Sequence, residues 1–375
     1  MRILFVASLH HPEVLRKAVA ATPPGEPVPL FPPSTTQHFY ERALRGRGHE
    51  LAVFWRNSPG AQTARYSDGL SLGKLANAAL NRVPPQVNPV VLGRNRALLD
   101  RARDFRPDIL WMVGDNTHIL PETLAALKRE VGCKLAYFCG TSPIVFSHPI
   151  DRAAARLYDL IVTSDYYHGI QWLEMGAARM ECLPISACDP DFHKPYPLDP
   201  ADRQRLACDI AFVGTLVPNE LYSRRVRALE ALRDFDLGIW SVHEVPASLQ
   251  GHVRGRALGE EMQRILSAAK ICVNTHGDFV HYGGNMRLFE VAGAGVFQLC
   301  DDLPGVREWF PEQDGKPMLL TYRDVDDLRE KVRYYLAHDA EREAAAARAQ
   351  AHVYAHHSYA RRAERLEALF EELLR

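Results

Sequence analysis

Short apolar runs alternate along the chain with longer segments of helical periodicity. The first run, Ile3–Ala7, predicts a buried strand; a polar stretch over residues 10–36, a helix over Gln37–Gly46 and a second strand over Leu51–Trp55 follow it. Wholly apolar strands that alternate with helices are typical of a parallel sheet covered on both faces. Further strands are predicted at 108–113, 134–138, 160–163, 180–184, 209–213, 237–240, 271–275, 296–299 and 318–320, and the helices between them include Arg94–Phe105 and Gly169–Met175. The pattern therefore predicts an α/β fold.

The alternation is interrupted once, by a proline-rich stretch over residues 186–207 that is typical of a linker. We therefore expect two α/β domains, 1–190 and 208–356, joined by a linker over 191–207. The remaining residues, 357–375, carry apolar side chains at three- and four-residue steps, which predicts an amphipathic final helix.

Composition excludes several classes of protein. The 375 residues are 47% hydrophobic and 24% charged, which are ordinary globular values. Because 45 basic residues meet 46 acidic ones, for a net charge of -1, we do not expect a nucleic-acid partner. No apolar stretch approaches the ~20 residues of a membrane-spanning helix. The seven cysteines form no C-x-x-C pair, so we expect reduced thiols and a cytoplasmic protein.

The strongest candidate site is a glycine-rich turn that opens a helix. Gly283, Gly284 and Asn285 follow a buried strand and a short polar loop. Tandem glycines allow close approach of a ligand, and the free N–H groups of a helix start favour an anion such as a diphosphate. Arg287 would add a planar cationic group, and Glu290, one turn on, could accept hydrogen bonds from sugar or ribose hydroxyls. The alternative is a plain turn beside an exposed ion pair.

A second candidate lies at the first strand of the second domain. Gly214 and Thr215 end that strand, and ligands in open α/β sheets bind beyond the carboxyl ends of strands. In the next helix, Arg224 or Arg225 could reach a phosphate. The alternative is that these arginines form a solvated helix face.

A third candidate lies in the first domain, after the strand over 108–113. Asp115 and His118 are a carboxylate and an imidazole at a strand end, which suits a catalytic role as a general base or as a partner of a substrate hydroxyl. The alternative is ordinary turn chemistry, with His118 capping a helix. The same alternatives hold for Cys139–Ser142.

Two pairs of histidines near the candidate sites do not predict a metal site. His10 and His11 follow the first strand, and His276 and His281 flank the glycine turn, but neither pair has the i, i+4 helical spacing of a zinc site. The chain contains no G-x-S-x-G, Walker A or G-x-G-x-x-G sequence. These absences argue against a serine hydrolase with its nucleophile in a G-x-S-x-G turn, against a P-loop NTPase and against an ordinary dinucleotide dehydrogenase.

Taken together, the motifs and their order resemble the GT-B glycosyltransferases, and among them the CgeB-like group related to the family 4 transferases. The similar segments cover nearly the whole chain and are Phe31–Pro33 with Gln37–Leu51, Leu183–Pro195, Asp209–Thr215, and Asn285–Gly295 with Asp301–Gly305 beyond it. Asp209–Thr215 resembles the segment that opens the donor domain in CgeB-like proteins, and Asn285–Gly295 resembles their N-x-R-x-F-E helix.

The resemblance implies two Rossmann-like parallel-sheet domains facing across a cleft. The second would bind a nucleotide-diphosphate sugar, and the first the acceptor, which could be a glycan, a small molecule or a protein. Glu290 would match the later of the two paired glutamates of the family 4 transferases, and its carboxylate would bind the ribose of the donor. The final helix would cross back onto the first domain, so we expect deletion of residues 358–375 to destabilise the protein.

We therefore expect a metal-independent, retaining glycosyltransferase that needs no cofactor beyond its nucleotide-sugar co-substrate. The position of the earlier paired glutamate is Tyr282 here. That difference favours the alternative of a GT-B-shaped binding or assembly protein without catalysis. Nucleotide-sugar epimerases share the fold and are a further alternative.

Overall fold

The computed structural model of the chain describes residues 1–7, 23, 36–56, 82–146, 148–257 and 259–375. The chain divides into two compact units. Unit 1 comprises Met1–Ile185 and Ala363–Arg375, and unit 2 comprises Ser186–Arg362. The polypeptide thus returns to unit 1 at its end. His10, His11 and Phe31–Pro33, which the sequence analysis singled out, lie outside the described residues.

Unit 1 contains a six-stranded parallel sheet in the order β2-β1-β3-β4-β5-β6. Its strands are β1 (Arg2–Ala7), β2 (Glu50–Trp55), β3 (Ile109–Val113), β4 (Lys134–Cys139), β5 (Leu160–Thr163) and β6 (Met180–Cys182). The described α-helices before residue 185 are α1 (Thr36–Gly46), α2 (Pro89–Phe105), α3 (Pro121–Ala126), α4 (Pro149–Ala154) and α5 (Tyr166–Glu174). All five residues of β3 are buried, which is why the sequence there reads as a continuous apolar run.

Unit 2 contains a second six-stranded parallel sheet in the order β14-β11-β10-β7-β8-β9. Its strands are β7 (Cys208–Val213), β8 (Leu237–Trp240), β9 (Val253–Gly255), β10 (Ala269–Asn274), β11 (Phe297–Asp301) and β14 (Leu320–Tyr322), with the small hairpin β12 (Glu312–Gln313) and β13 (Lys316–Pro317) outside it. The helices are α6 (Pro200–Leu206), α7 (Ser223–Glu230), α8 (Glu260–Ala268), α9 (Arg287–Gly293), α10 (Pro304–Trp309), α11 (Val325–Ala337) and α12 (Asp339–His356).

The strand order of unit 2 fixes where a ligand should bind. Numbered within the unit, the order is 3-2-1-4-5-6, that of a Rossmann-type sheet. The chain reverses direction across the sheet between β7 and β10, and ligands of such sheets bind at the carboxyl ends of the strands on either side. The confirmed prediction of two Rossmann-like parallel sheets therefore directs attention to the ends of β7 and β10.

Several elements differ from the sequence prediction because of their caps. Helix α2 begins at Pro89 rather than at residue 94, since the Asn88 side chain accepts hydrogen bonds from two amides of its first turn. Helix α5 begins at Tyr166 rather than at residue 169, since Asp165 caps it. The proline-rich stretch predicted as a linker contains α6, which Asp199 caps. No helix in the described ranges is long and apolar enough to cross a membrane.

The final helix, α13 (Tyr359–Leu374), packs into unit 1 through residues 363–375. The Phe370 ring is fully buried and lies edge-on to the Trp111 ring, with 6.1 Å between the centroids. Ion pairs join the exposed side of the helix to the same unit, between Arg179 and Glu372 at 2.7 Å and between Arg365 and Glu181. The helix end thus covers the core beside β3.

A polar cluster is buried inside unit 1, below the end of β3. The fully buried Asp151 carboxylate accepts a hydrogen bond from the Tyr137 hydroxyl at 2.6 Å and one from the Asn116 amide at 3.4 Å. Burial raises the pKa of Asp151 to about 7, and the hydrogen bonds from Tyr137 and Asn116 only partly offset it. The loop that carries Asp115 is therefore anchored on a carboxyl group that titrates near neutrality.

We predict that Phe370→Ala lowers the free energy of unfolding by roughly 3–5 kcal/mol, since it empties a closed site in the core of unit 1. Leu374→Ala, on the same helix but with its side chain 42% exposed, should change it by about 0.5 kcal/mol or less. Urea denaturation of both variants measures the difference. Equal losses would show that the helix end does not cover the core.

A second prediction concerns pH. An acid whose pKa is raised from 3.8 to about 7 in the folded state destabilises that state as the pH rises between those values. Relative to Asp151→Asn, the wild-type protein should therefore lose stability from about pH 4 to about pH 7, by at most about 1.4 kcal/mol per pH unit. Asp104→Asn, at an exposed position of α2, is the control. A pH-independent difference for Asp151→Asn would contradict the prediction.

Candidate functional site

Arg225 joins the two strand ends at which the chain reverses direction in unit 2. From helix α7, its Nε donates to the Thr275 carbonyl after β10, and its Nη1 donates to the Thr215 carbonyl after β7, both at 2.8 Å. Burial lowers the pKa of Arg225, and the Tyr222 ring packs 5.0 Å from the guanidinium carbon. Both carbonyls and the position of α7 are fixed by this one side chain.

Two acidic residues hold the neighbouring Arg224. Asp278 accepts hydrogen bonds from the Ser223 hydroxyl and the Arg224 amide, both at 3.0 Å, and so caps the start of α7. The Arg224 Nη1 lies 3.3 Å from Asp301 Oδ2 and 3.5 Å from the Val280 carbonyl. These contacts are long for a guanidinium, and 31% of the side chain is exposed, so the group can turn towards a ligand.

Asp301 ends β11 and forms a buried pair with His276. Its Oδ1 accepts from the His276 amide at 3.0 Å and lies 2.6 Å from the ring Nδ1. Burial opposes ionisation of Asp301, but the charge and hydrogen bonds of His276, together with the charge of Arg224, outweigh it and hold the pKa at about 2. Asp301 is thus a permanent anion between an imidazole and a guanidinium.

Cys300 completes the one group within the described ranges whose atoms could hold a metal ion. Its Sγ lies 3.6 Å from Asp301 Oδ1 and 3.8 Å from His276 Nδ1. Two ligands of one tetrahedral zinc ion at its usual bond lengths would lie about 3.3 Å apart. The 2.6 Å between the His276 nitrogen and the Asp301 oxygen is instead the distance of a direct hydrogen bond.

Arg287 and Glu290 face the end of β7 from helix α9. The Arg287 Nε donates to the Val213 carbonyl at 3.0 Å, and its Nη1 contacts Glu290 Oε2. On the other side of the buried Glu290, Oε1 lies 3.9 Å from His193 Nε2. His193 Nδ1 accepts from the Asp189 amide at 2.8 Å, so the ring proton is on Nε2, towards Glu290. A carboxylate is thereby fixed beside the strand end.

Close packing, rather than a positive φ, constrains Gly284 in the turn and Gly305 in helix α10. A Cβ on Gly284 would lie 2.1 Å from a Leu288 methyl carbon, and one on Gly305 would lie 2.6 Å from the Tyr282 carbonyl oxygen. The Gly305 amide donates to that carbonyl at 2.7 Å. The start of α10 thus clamps the turn, and the Tyr282 hydroxyl reaches Glu308 in the same helix.

Both polar atoms of the Asn285 side chain form hydrogen bonds. The Oδ1 accepts from the Arg287 amide at 2.9 Å, and the Nδ2 donates to Asn274 Oδ1 at 2.8 Å. The backbone N–H of Arg287 is one of the helix-start groups predicted to bind an anion, and it therefore already has a partner. The side chains of Arg224 and Arg287 remain the better placed donors for a phosphate.

The structure brings most of the predicted donor-site residues to one edge of the sheet. Gly214 and Thr215 follow β7, Arg287 bonds to that strand, and Arg224 reaches the end of β11. Sequence reasoning missed Asp278 and Asp301. The signal available for Asp301 was an acid at the end of a buried apolar run.

In unit 1, Asp115 and His118 lie in one loop after β3. The Thr141 hydroxyl donates to Asp115 Oδ1 at 2.7 Å, and His118 Nδ1 lies 2.7 Å from the Thr117 hydroxyl. The turn itself is built by Asn116, whose Oδ1 accepts from the amides of residues 118 and 119. Burial, then the charges of Arg56 and other nearby cations, lowers the pKa of His118 to about 4, so the ring is neutral near pH 7.

Comparison with known proteins bears on the family and on the fold. Residues 223–368 match the family described as glycosyl transferase-like. No curated protein sequence matches the chain significantly. Among solved structures, HepE of Anabaena in complex with UDP-glucose is similar at a TM-score of 0.62 and 13% identity, over 99% of this chain and 100% of HepE.

Two further structures share the fold. The sucrose-phosphate synthase of Thermosynechococcus elongatus is similar at a TM-score of 0.63 and 13% identity, over 100% of this chain and 99% of that one. A glycosyltransferase of Rickettsia africae gives 0.61 and 12%, over 100% and 98%. The chain therefore has the GT-B fold, which confirms the prediction of the fold, and residues 223–368 match a glycosyl transferase-like family.

Proposed function

We propose that this protein moves a sugar from a nucleotide-diphosphate sugar to an acceptor hydroxyl, as a metal-independent, retaining transferase of the CgeB-like group. Unit 2 binds the donor, and unit 1 binds the acceptor. The observation that carries the proposal is the set of three arginines, with Glu290 beside them, at the strand ends of unit 2 where the chain reverses direction. This is where a sheet of this order binds nucleotides.

Of the three arginines, one is held by the protein and two keep N–H groups that can bind a ligand. Arg225 is occupied by two carbonyls and sets the shape of the edge. Arg224 and Arg287 are partly exposed and keep N–H groups that can donate to phosphate oxygens. Guanidinium groups fixed near a leaving diphosphate stabilise the charge that develops on it as the bond to the sugar breaks. They could thus do the work that a divalent cation does in other transferases.

Glu290 is suited to bind a ribose. Its carboxylate is buried, accepts from Arg287 and faces the protonated nitrogen of His193. A carboxylate held in this way accepts hydrogen bonds from a pair of hydroxyls in a fixed orientation. This agrees with the role that the family resemblance gives to the later of the two paired glutamates.

The reaction breaks the bond between the anomeric carbon and the diphosphate oxygen, which leaves with the electron pair. The acceptor oxygen forms the new bond and gives up its proton. Asp115 and His118 are our candidates to orient that hydroxyl and take the proton. His118 is neutral near pH 7 and can accept a hydrogen bond from that hydroxyl, and the carboxylate of Asp115 takes the proton.

One observation favours a second candidate, a GT-B-shaped binding protein without catalysis. Tyr282 stands where the resemblance places the earlier glutamate, and its hydroxyl is bound to Glu308. Such a protein would still bind a nucleotide through unit 2, but it would transfer no sugar. Turnover of the donor in the presence of an acceptor separates the two candidates.

We predict that nucleoside diphosphates stabilise the protein against heat. Since HepE is known in complex with UDP-glucose, UDP and UDP-glucose are the first ligands to test, followed by ADP, GDP and their sugars. A ligand at a hundredfold excess over its Kd should add ~2.7 kcal/mol to the free energy of unfolding. No shift with any nucleoside diphosphate would contradict the proposal.

We further predict that Glu290→Gln weakens binding of the stabilising nucleotide by roughly tenfold or more, because an uncharged amide replaces the carboxylate that accepts from the ribose. Glu330→Gln, at an exposed position of α11, should leave the Kd unchanged. Isothermal titration calorimetry measures both. Loss of sugar transfer with unchanged nucleotide affinity in Glu290→Gln would contradict the ribose role.

A further inference from the structure

A cleft of about 460 Å³ lies in unit 2 between the β12–β13 hairpin and helix α12. Small-molecule sites in proteins are commonly clefts of roughly 300–1,000 Å³. Of the described residues that line this cleft, none belongs to the proposed donor site and none lies in a strand of the six-stranded sheet. The cleft is therefore a second place in unit 2 with room for a ligand of metabolite size.

A tight turn fixes the hairpin wall of the cleft. Gln313 pairs with Lys316 across the two antiparallel strands. Asp314 and Gly315 between them both have positive φ, 52° and 71°. A type I′ turn requires this of its two central residues, and Asp-Gly is one of its preferred sequences. The exposed Lys316 side chain thus starts from a backbone that is held in place beside the cleft.

Helix α12 forms the other wall. Arg348, His352 and His356 follow one another at four-residue steps, so they lie along one face of the helix over about 12 Å. The His352 Nε2 donates to the Trp309 carbonyl at 2.8 Å, which fixes the ring, and 4.9 Å separates the ring centroids of His352 and His356. The helix thus presents one guanidinium and two imidazole rings to the cleft.

The two cationic side chains of the cleft lack a carboxylate partner. In the described part of the chain, neither Arg348 nor Lys316 forms an ion pair, and the Nε of the half-buried Arg348 is buried without a hydrogen-bond partner. Elsewhere in the same helix, Arg342 is paired with Asp339 at 2.6 Å. A guanidinium that is partly removed from water without an acceptor costs free energy. An anionic ligand would supply the missing acceptors.

The acidic groups near the cleft are fewer than its cations. Asp314 is the one carboxylate among the described residues that line it. Glu308 and Glu312 line an adjoining recess, to which neither of the two cations contributes. The Glu308 carboxylate already accepts from the Tyr282 hydroxyl. Apart from its histidines, the cleft therefore has two cationic side chains and one carboxylate.

We propose that this cleft binds the phosphate group of a small phosphorylated metabolite. A phosphate monoester carries nearly two negative charges near pH 7, which match the two cationic side chains, whereas a carboxylate carries only one. The guanidinium of Arg348 and the ammonium of Lys316 donate to the phosphate oxygens. The remaining space takes the body of the metabolite, whose hydroxyls bond to Asp314 and Gln313.

The test uses inorganic phosphate, glucose 6-phosphate and sodium acetate at constant ionic strength. The broadening of phosphorus-31 NMR lines measures the binding of the two phosphates. Both should bind, with glucose 6-phosphate at least as tight as inorganic phosphate. Acetate at the same concentration should displace neither of them, because it carries a single charge.

The Arg348→Gln variant should lose about tenfold in affinity for glucose 6-phosphate, which is ~1.4 kcal/mol. Lys316→Gln, at an exposed position, should lose less and should fold like the wild-type protein. The matched control is Arg333→Gln, which removes an exposed arginine from α11 and should leave the affinity unchanged. Arg287→Gln alters the proposed donor site and should also leave it unchanged. Melting temperatures confirm that each variant folds.

Three results would overturn the inference: no binding of either phosphate, displacement by an equal concentration of acetate, or wild-type affinity in both Arg348→Gln and Lys316→Gln. An equal loss in Arg333→Gln would show a general effect of charge and would contradict the inference as well. A loss in Arg287→Gln alone would mean that the phosphate binds in the proposed donor site, so the cleft would not be its site.

Discussion

The proposed donor site depends on one buried cation. Arg225 donates to the carbonyls that follow β7 and β10, where the two strands part and their backbones lose their sheet partners. Burying a guanidinium costs free energy unless its N–H groups are hydrogen-bonded, and the two carbonyls likewise need donors. The arginine and the two carbonyls therefore depend on each other. Because Arg225 lies in α7 directly after Arg224, the same contact also sets where Arg224 can reach, which is Asp301 at the end of β11.

The edges of the two sheets differ in their charged side chains. At the edge of unit 2, Arg224, Arg225 and Arg287 are balanced by the buried anions Asp301 and Glu290, and the arrangement suits a charged diphosphate. The described edge of unit 1 has the carboxylates of Asp115 and Asp165, the neutral ring of His118 and the buried guanidinium of Arg56, which donates to the Val113 carbonyl. In the proposed reaction, the donor brings a leaving group with a high negative charge and the acceptor brings a hydroxyl.

The sequence predicted what depends on local pattern. Buried strands such as β3 and β7 read as apolar runs, and Arg287 and Glu290 stand one helical turn apart. The edge strand β9 has three half-exposed or exposed residues and no apolar signal, so it was missed. The contact between Arg224 and Asp301 joins residues that are 77 positions apart, so no local sequence pattern predicts it. Asp151 reads as a solvated helical acid, and only the fold shows that it is buried.

Hydrogen–deuterium exchange with and without UDP tests the central claim most directly, since it shows where a nucleotide acts on the protein. The account predicts slower exchange at saturating UDP in peptides that cover residues 214–225 and 275–290, because a bound diphosphate and ribose would hold the ends of β7 and β10 together. Peptides over residues 140–146 and 164–171 should exchange at unchanged rates. Protection confined to unit 1, or none in either unit, would contradict the account.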